Sequence, residues 1–140
     1  MSALDLEREV VGRWFAVQAR LEDHFTLLAA EHGLSAVQAK VLMQLQPEGA
    51  VTMRSLADQL HYDASNLTGV IDRLEERGAV RRQPGAHDRR IKGVVLTEDG
   101  ARLHQAFWQR LTGRSGPLGR LSAGELAELR GLLDAALRAG

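Results

Sequence analysis

TMRSLADQLHYDASNLTGVIDRLEERGAVRRQPGAHDRRIKGVVLT, residues 52–97, reads in order as helix, turn, helix, strand, turn, strand. Thr52 is placed to cap a short helix whose apolar residues Met53, Leu56, Ala57 and Leu60 recur at three- and four-residue steps. His61, Tyr62 and Asp63 interrupt that pattern, and Asp63 is a good N-cap for a second helix over 64–77. This helix sets Leu67, Val70, Ile71 and Leu74 on one face and leaves Ser65, Asn66, Thr68, Gly69 and Arg73 outside. Gly78 is the residue type that commonly follows a helix end. Val80–Gln83 and Ile91–Leu96 then flank a tip of residues 84–90, which predicts a hairpin.

The exposed chemistry of this stretch points to nucleic acid. A helix entering the major groove reads base edges with short polar side chains near its N-terminus. Ser65 and Asn66 have the right length, and Asn pairs bidentately with adenine. Free N–H groups at the helix start suit a phosphate. Gly69 costs about 1 kcal/mol of helix stability relative to Ala and admits a close neighbour. Between residues 80 and 92, Arg81, Arg82, Arg89, Arg90 and Lys92 face Asp88 alone, a local excess of four positive charges in a chain of zero net charge. Arginines at a hairpin tip reach into a narrow minor groove. Arg81 and Arg82 alternate across a strand, so at most one of them is expected to face DNA. The whole reads as a winged helix-turn-helix.

On these residues the chain resembles the multiple-antibiotic-resistance-regulator (MarR) family of bacterial transcription factors. The resemblance is carried by DASNLTGVIDRLEERGAV (63–80) and DRRIKGVVLTEDG (88–100). The family's wing pattern, Asp-x-Arg, a short strand, then Leu-Thr-x-x-Gly, is met by Asp88, Arg90, Leu96, Thr97 and Gly100. LSAVQAKVLMQL (34–45) is similar to the family's second helix, and the likeness covers nearly the whole chain in order. It implies that Arg90 enters the minor groove and that Asp88 pairs with an arginine to hold the wing's shape. Many members carry Arg where this chain has Gly69, which implies a different sequence preference. Having no cysteine, the chain also lacks the thiol switch of peroxide-sensing members.

Around this centre the expected organisation is one domain of 140 residues, with 44% hydrophobic residues to build a core. Residues 34–97 form the DNA-binding lobe, and residues 1–31 and 98–140 form a helical dimerisation region. Val11, Trp14, Leu21, Phe25 and Leu28 predict a long amphipathic helix over 5–31, with six acids against three arginines in residues 1–31. Ser35 with Gln38 forms a capping box for a helix whose Val37, Val41, Leu42 and Leu45 face the core. A short strand at Ala50–Val51 is placed to pair with the hairpin. After Thr97 a helix carries Leu103, Ala106, Phe107 and Leu111 until Gly113, Gly116 and Pro117 break it. Ser122 and Glu125 open a last helix with a wide leucine stripe. The terminal helices carry more apolar surface than a small winged helix covers. They either pack on their own domain or, as preferred, interlock with a second copy, setting two recognition helices about 34 Å apart on a palindrome.

Other sites weigh less. Lys plus Arg equals Asp plus Glu at 18 each, so global charge gives no bias toward nucleic acid, and the local wing does. The absence of cysteine excludes disulfides and thiolate zinc sites, and the five histidines lack metal-ligand spacing. Neither a metal nor a cofactor is therefore expected. Trp14, Phe15, Phe25 and Trp108 either pack or line a pocket for a small aromatic effector, a ligand class that the resemblance implies and the residues do not identify. No run of 18 apolar residues and no charged-then-apolar leader are present, which predicts a cytoplasmic protein without a membrane span. No nucleophile or phosphate-loop motif supports an enzyme. The expectation is a ligand-responsive, homodimeric DNA-binding repressor. Its predicted DNA-contact set is Arg54, Ser65, Asn66, Thr68, Arg73, Asp88, Arg89 and Arg90. The alternative is a winged helix that docks protein and has lost DNA binding.

Overall fold

The computed structural model describes residues 1–85 and 87–138; Ala86 of the expected hairpin tip lies outside the described residues. Among the described residues, six helices and three short strands follow in chain order. These are α1 (Ala3–Glu31), α2 (Ala36–Gln44), β1 (Val51–Thr52), α3 (Met53–Leu60), α4 (Ala64–Glu76), β2 (Val80–Pro84), β3 (Lys92–Leu96), α5 (Glu98–Leu111) and α6 (Ala123–Arg138). Residues 34–97, read from sequence as one lobe, hold the helix-turn-helix α3–α4 and the β-wing. The winged helix-turn-helix, mainly α with a small antiparallel sheet, is the fold that the patterning predicts.

Side-chain capping sets several of the helix starts. Ser2 with Asp5 and Ser35 with Gln38 form complete capping boxes at α1 and α2. The Thr52 hydroxyl accepts from the Ser55 amide at 3.0 Å, and Asp63 accepts from the Asn66 amide at 2.9 Å. Between them, His61 takes a left-handed conformation with φ 56°, which ends α3 and turns the chain into α4. Gly78, at φ 85°, does the same after α4, where L side chains are strained.

The core lies where α2, α3, α4 and α5 meet the sheet. Val41, Leu42, Leu56, Leu67, Ile71, Leu74, Val94 and Phe107 are all fully buried, each contributing about 1.5–3 kcal/mol through burial. In the sheet β3 is central, with β1 and β2 antiparallel on either side and Arg82 opposite Val94. The sequence places two strand boundaries differently. β1 begins one residue later than expected, at Val51, because its pairing with β3 runs through Val51 and Thr52. Ile91 stands outside β3, exposed in the turn, because its N–H donates to the Asp88 carbonyl and its own carbonyl accepts from Gly85. Val37 is exposed rather than in the core, where Ala39 takes its place on the buried side of α2.

A tight joint connects this lobe to α5. Thr97 caps α5 through the Gly100 amide, its hydroxyl donates to the Gly78 carbonyl at 2.5 Å, and its amide donates to Ala79 at 3.0 Å. A Cβ on Gly100 would stand 1.8 Å from the Ala79 carbonyl oxygen, so only glycine fits there. The Leu-Thr-x-x-Gly run is thus a packing device. Arg110 reaches back to Glu31 at 3.1 Å and ties α5 to the end of α1.

The terminal helices leave their apolar faces open. In α1 only Leu28 and Ala29 are buried, while Val10, Val11, Trp14, Phe15, Val17 and Leu21 are exposed. α6 buries no residue, and its Leu132 is 69% exposed. No described helix is long and apolar enough to cross a membrane.

Candidate nucleic-acid interface

The outward face of α4 follows from its buried one. With Leu67, Ile71 and Leu74 held inside at 3–4-residue spacing, Ser65, Asn66, Thr68 and Arg73 are exposed. All four of these polar side chains already have partners on their own helix or its N-cap. The Ser65 hydroxyl donates to Asp63 at 2.9 Å, Asn66 Nδ2 donates to the other Asp63 oxygen at 3.3 Å, and the Thr68 hydroxyl donates to the Ala64 carbonyl at 2.8 Å. The Asn66 amide and the Ser65 hydroxyl hold the Asp63 carboxyl below the usual aspartate range. Arg73 donates to the Gly69 carbonyl at 3.3 Å. Neither Asp72 nor Arg77 engages it: Asp72 pairs with Arg82 instead.

Two clefts collect part of the predicted set. One, of about 510 Å³, is bordered by Arg54 from α3, Thr68 from α4 and Lys92 from β3, over a floor that includes Ala57 and Leu67. The other, of about 500 Å³, brings Asn66 and Arg73 together with Gln38 and Tyr62. Ser65, Asp88, Arg89 and Arg90 line neither. A Cβ on Gly69 would meet only the Arg73 guanidinium, at 3.5 Å, so the fold itself does not require glycine there.

At the wing, the arginine that pairs with Asp88 is Arg90 itself. Its backbone amide donates to Oδ1 at 3.0 Å, and Nη2 lies 3.1 Å from Oδ2. The Arg90 side chain remains 91% exposed. These bonds hold the Asp88 carboxyl below its usual range. Arg89 is exposed beside it.

Arg82 stands outside the predicted contact set and is the wing arginine held by α4. Its side chain, 24% exposed, turns away from solvent onto Glu75 at 2.8 Å and Asp72 at 2.6 Å. The available signal was the pair of acids at 72 and 75, one turn apart on the helix that β2 packs against. Arg81, its neighbour on the other strand face, is exposed.

The aromatic residues are dispersed. Trp14 and Phe15 lie exposed on α1, Phe25 packs on the core, and Trp108 meets the buried His104 edge-on with ring centroids 6.4 Å apart. Among the described residues they do not close a pocket against the lobe of residues 34–97 within one chain. Among the described residues no three His, Asp or Glu side chains gather around a metal-sized space.

Comparison with known proteins agrees with this geometry. Residues 34–92 match the MarR family model. The chain is 35% identical over 77 residues to an HTH-type transcriptional regulator, YfiV, of Bacillus subtilis, covering 55% of this chain and 48% of that protein. It is 36% identical over 77 residues to the multiple antibiotic resistance protein MarR of Salmonella typhimurium, covering 55% and 54%. The chain thus spans about half the length of these curated relatives. Among solved structures, a mutant MarR from E. coli complexed with operator DNA superposes with a TM-score of 0.69 at 29% identity, over 97% of this chain and 99% of that one. The regulator BldR of Sulfolobus solfataricus, at 23% identity and a TM-score of 0.76, shares the fold over 99% of both chains.

Proposed function

We propose that the chain is a MarR-family, sequence-specific regulator of transcription that binds double-stranded DNA as a homodimer, a reading supported by the match of residues 34–92 to the MarR family model. The observation that supports this most directly is the cleft bordered by Arg54, Thr68 and Lys92. There cations from α3 and from the wing flank a polar side chain of α4, as a groove-bound helix with phosphate contacts on both sides requires.

In this reading α4 lies in the major groove, with Ser65, Asn66 and Thr68 at base edges. Arg54 and Arg73 meet phosphates. Arg89 and Arg90 carry the wing to the minor groove, and Asp88 sets its shape. The exposed faces of α1 and α6, with the end of α5, are the surface that a second copy covers, giving the region of residues 1–31 and 98–140 its dimerisation role. The C2 pair then faces a palindromic operator. Occupancy of a promoter blocks transcription, and a small-molecule effector that favours one separation of the two lobes relieves it. The protein acts in the cytoplasm by binding alone, with no catalytic step.

Fluorescence anisotropy on the DNA upstream of its own gene, beside a scrambled duplex and at two salt concentrations, tests the proposal. Tight binding that prefers the native fragment and weakens steeply with salt is expected. If neither that fragment nor any duplex selected from a genomic library binds specifically, the reading fails in favour of a protein-docking winged helix.

A further inference from the structure

Arg82 stands in the basic wing and lines the cleft of Arg54, Thr68 and Lys92, yet its cationic head is engaged by α4. Its backbone amide and Nη1 both donate to the Glu75 carboxylate, at 3.1 and 2.8 Å, so that one carboxylate grips both the backbone and the side chain of β2. Nη2 donates to Asp72 at 2.6 Å and to the Thr68 carbonyl at 3.3 Å. Thr68, Asp72 and Glu75 lie on successive turns of α4, so a single guanidinium spans about two turns of the recognition helix. Opposite Arg82 on β3 is the buried Val94, and β3 runs back to the turn that holds Arg89 and Arg90.

We infer that Arg82 is a positioning residue that fixes the wing against α4, so that base edges and the minor groove are reached in one register. This rests on the DNA-binding reading above. A planar, five-donor guanidinium suits the role, because three acceptors on α4 are met by one rigid group from β2; lysine offers a point charge instead. The ion pairs are partly exposed and add little stability by themselves. Their effect is geometric: the wing arginines sit at the far end of a two-stranded ribbon, where a small rotation at its base moves the tip furthest.

The direct-contact reading of Arg82 predicts the opposite sign in one experiment. Asp72→Asn with Glu75→Gln removes two negative charges beside the DNA face and turns both ion pairs of Arg82 into weaker, neutral contacts. Were Arg82 a phosphate contact, freeing it would tighten binding. The positioning role instead makes the double variant lose at least about five-fold in operator-to-scrambled preference at about 0.15 M salt, with the salt slope retained. The duplex is the one that the wild-type protein selects, and unfolding midpoints confirm that each variant is folded. Arg82→Ala is then measured with and without Arg90→Ala. Coupled losses, much smaller for Arg82→Ala when Arg90 is already absent, are expected if Arg82 acts through the wing. Additive losses, or tighter operator binding by the acid-to-amide variant, overturn the inference. Absence of specific binding by the wild-type protein overturns the function itself.

Discussion

The guanidinium of Arg90 folds back onto the carboxylate of Asp88, two residues earlier, with Nε 3.2 Å from Oδ1 and Nη2 3.1 Å from Oδ2. An exposed pair of this kind is worth little in water, so the side chain is released cheaply when a minor groove offers a stronger field. Meanwhile the Arg90 amide keeps its own bond to Asp88 and preserves the turn.

Arg90→Ala is therefore expected to weaken operator binding by about 1–3 kcal/mol without lowering the unfolding midpoint. Titration of the selected duplex at moderate salt measures this. Unchanged affinity would remove Arg90 from the groove.

Asn66→Ala is expected to reduce discrimination between operator and scrambled DNA more than it reduces scrambled-DNA binding. The loss for one bidentate base contact is about 1–3 kcal/mol. An equal loss on both duplexes would make Asn66 a contact that positions the helix without reading sequence.

The acid limb of the stability curve provides a third test. Asp63 and Asp88 both have carboxyls held below the ordinary aspartate range by donors in the folded state, Asn66 and Arg90 respectively. Their contribution is fully present above the ordinary aspartate range and is lost as pH falls through the lowered folded values. Asp63→Asn keeps a cap of comparable quality and removes the titration. Its unfolding midpoint should stay near wild type at neutral pH and fall less steeply on acidification. Identical acid limbs would show that the ionised cap contributes nothing.

Leu132→Asp places a charge on the open face of α6, where Leu132 is 69% exposed in the single chain. Covering a leucine against a partner contributes about 1.5–3 kcal/mol, and burying an unpaired carboxylate reverses the sign. Light scattering at micromolar concentration should give a dimer for the wild-type protein and a monomer for the variant. A wild-type monomer would defeat the dimer outright.

Gly100→Ala should be among the most damaging single substitutions, because the added methyl would meet the Ala79 carbonyl at 1.8 Å. Relief requires moving the backbone that starts β2. A loss above about 3 kcal/mol in denaturant unfolding is expected.

Most of the fold was legible because it is written in local chemistry. Thr52, Asp63 and Thr97 cap the helices that their spacing predicts, and the buried face of α4 is the apolar stripe that its sequence displays. The strand edges were less legible, since Ile91 satisfies β patterning while the turn claims both of its backbone groups. Charge was harder still. Arg81 and Arg82 are the same residue type side by side, and only the tertiary placement of Asp72 and Glu75 separates the exposed one from the pinned one. The aromatic residues were legible only as members of helix faces, because helical spacing places side chains on a face without saying what lies opposite. For Trp14 and Phe15, that is nothing within the single chain.

The joint at Gly78, Ala79, Thr97 and Gly100 has a mechanical consequence. Three elements meet there without slack: the end of α4, the start of β2 and the first turn of α5. Such a joint transmits torque and absorbs none. A swing of α5 therefore carries α4 and the wing with it as a crank turns a blade.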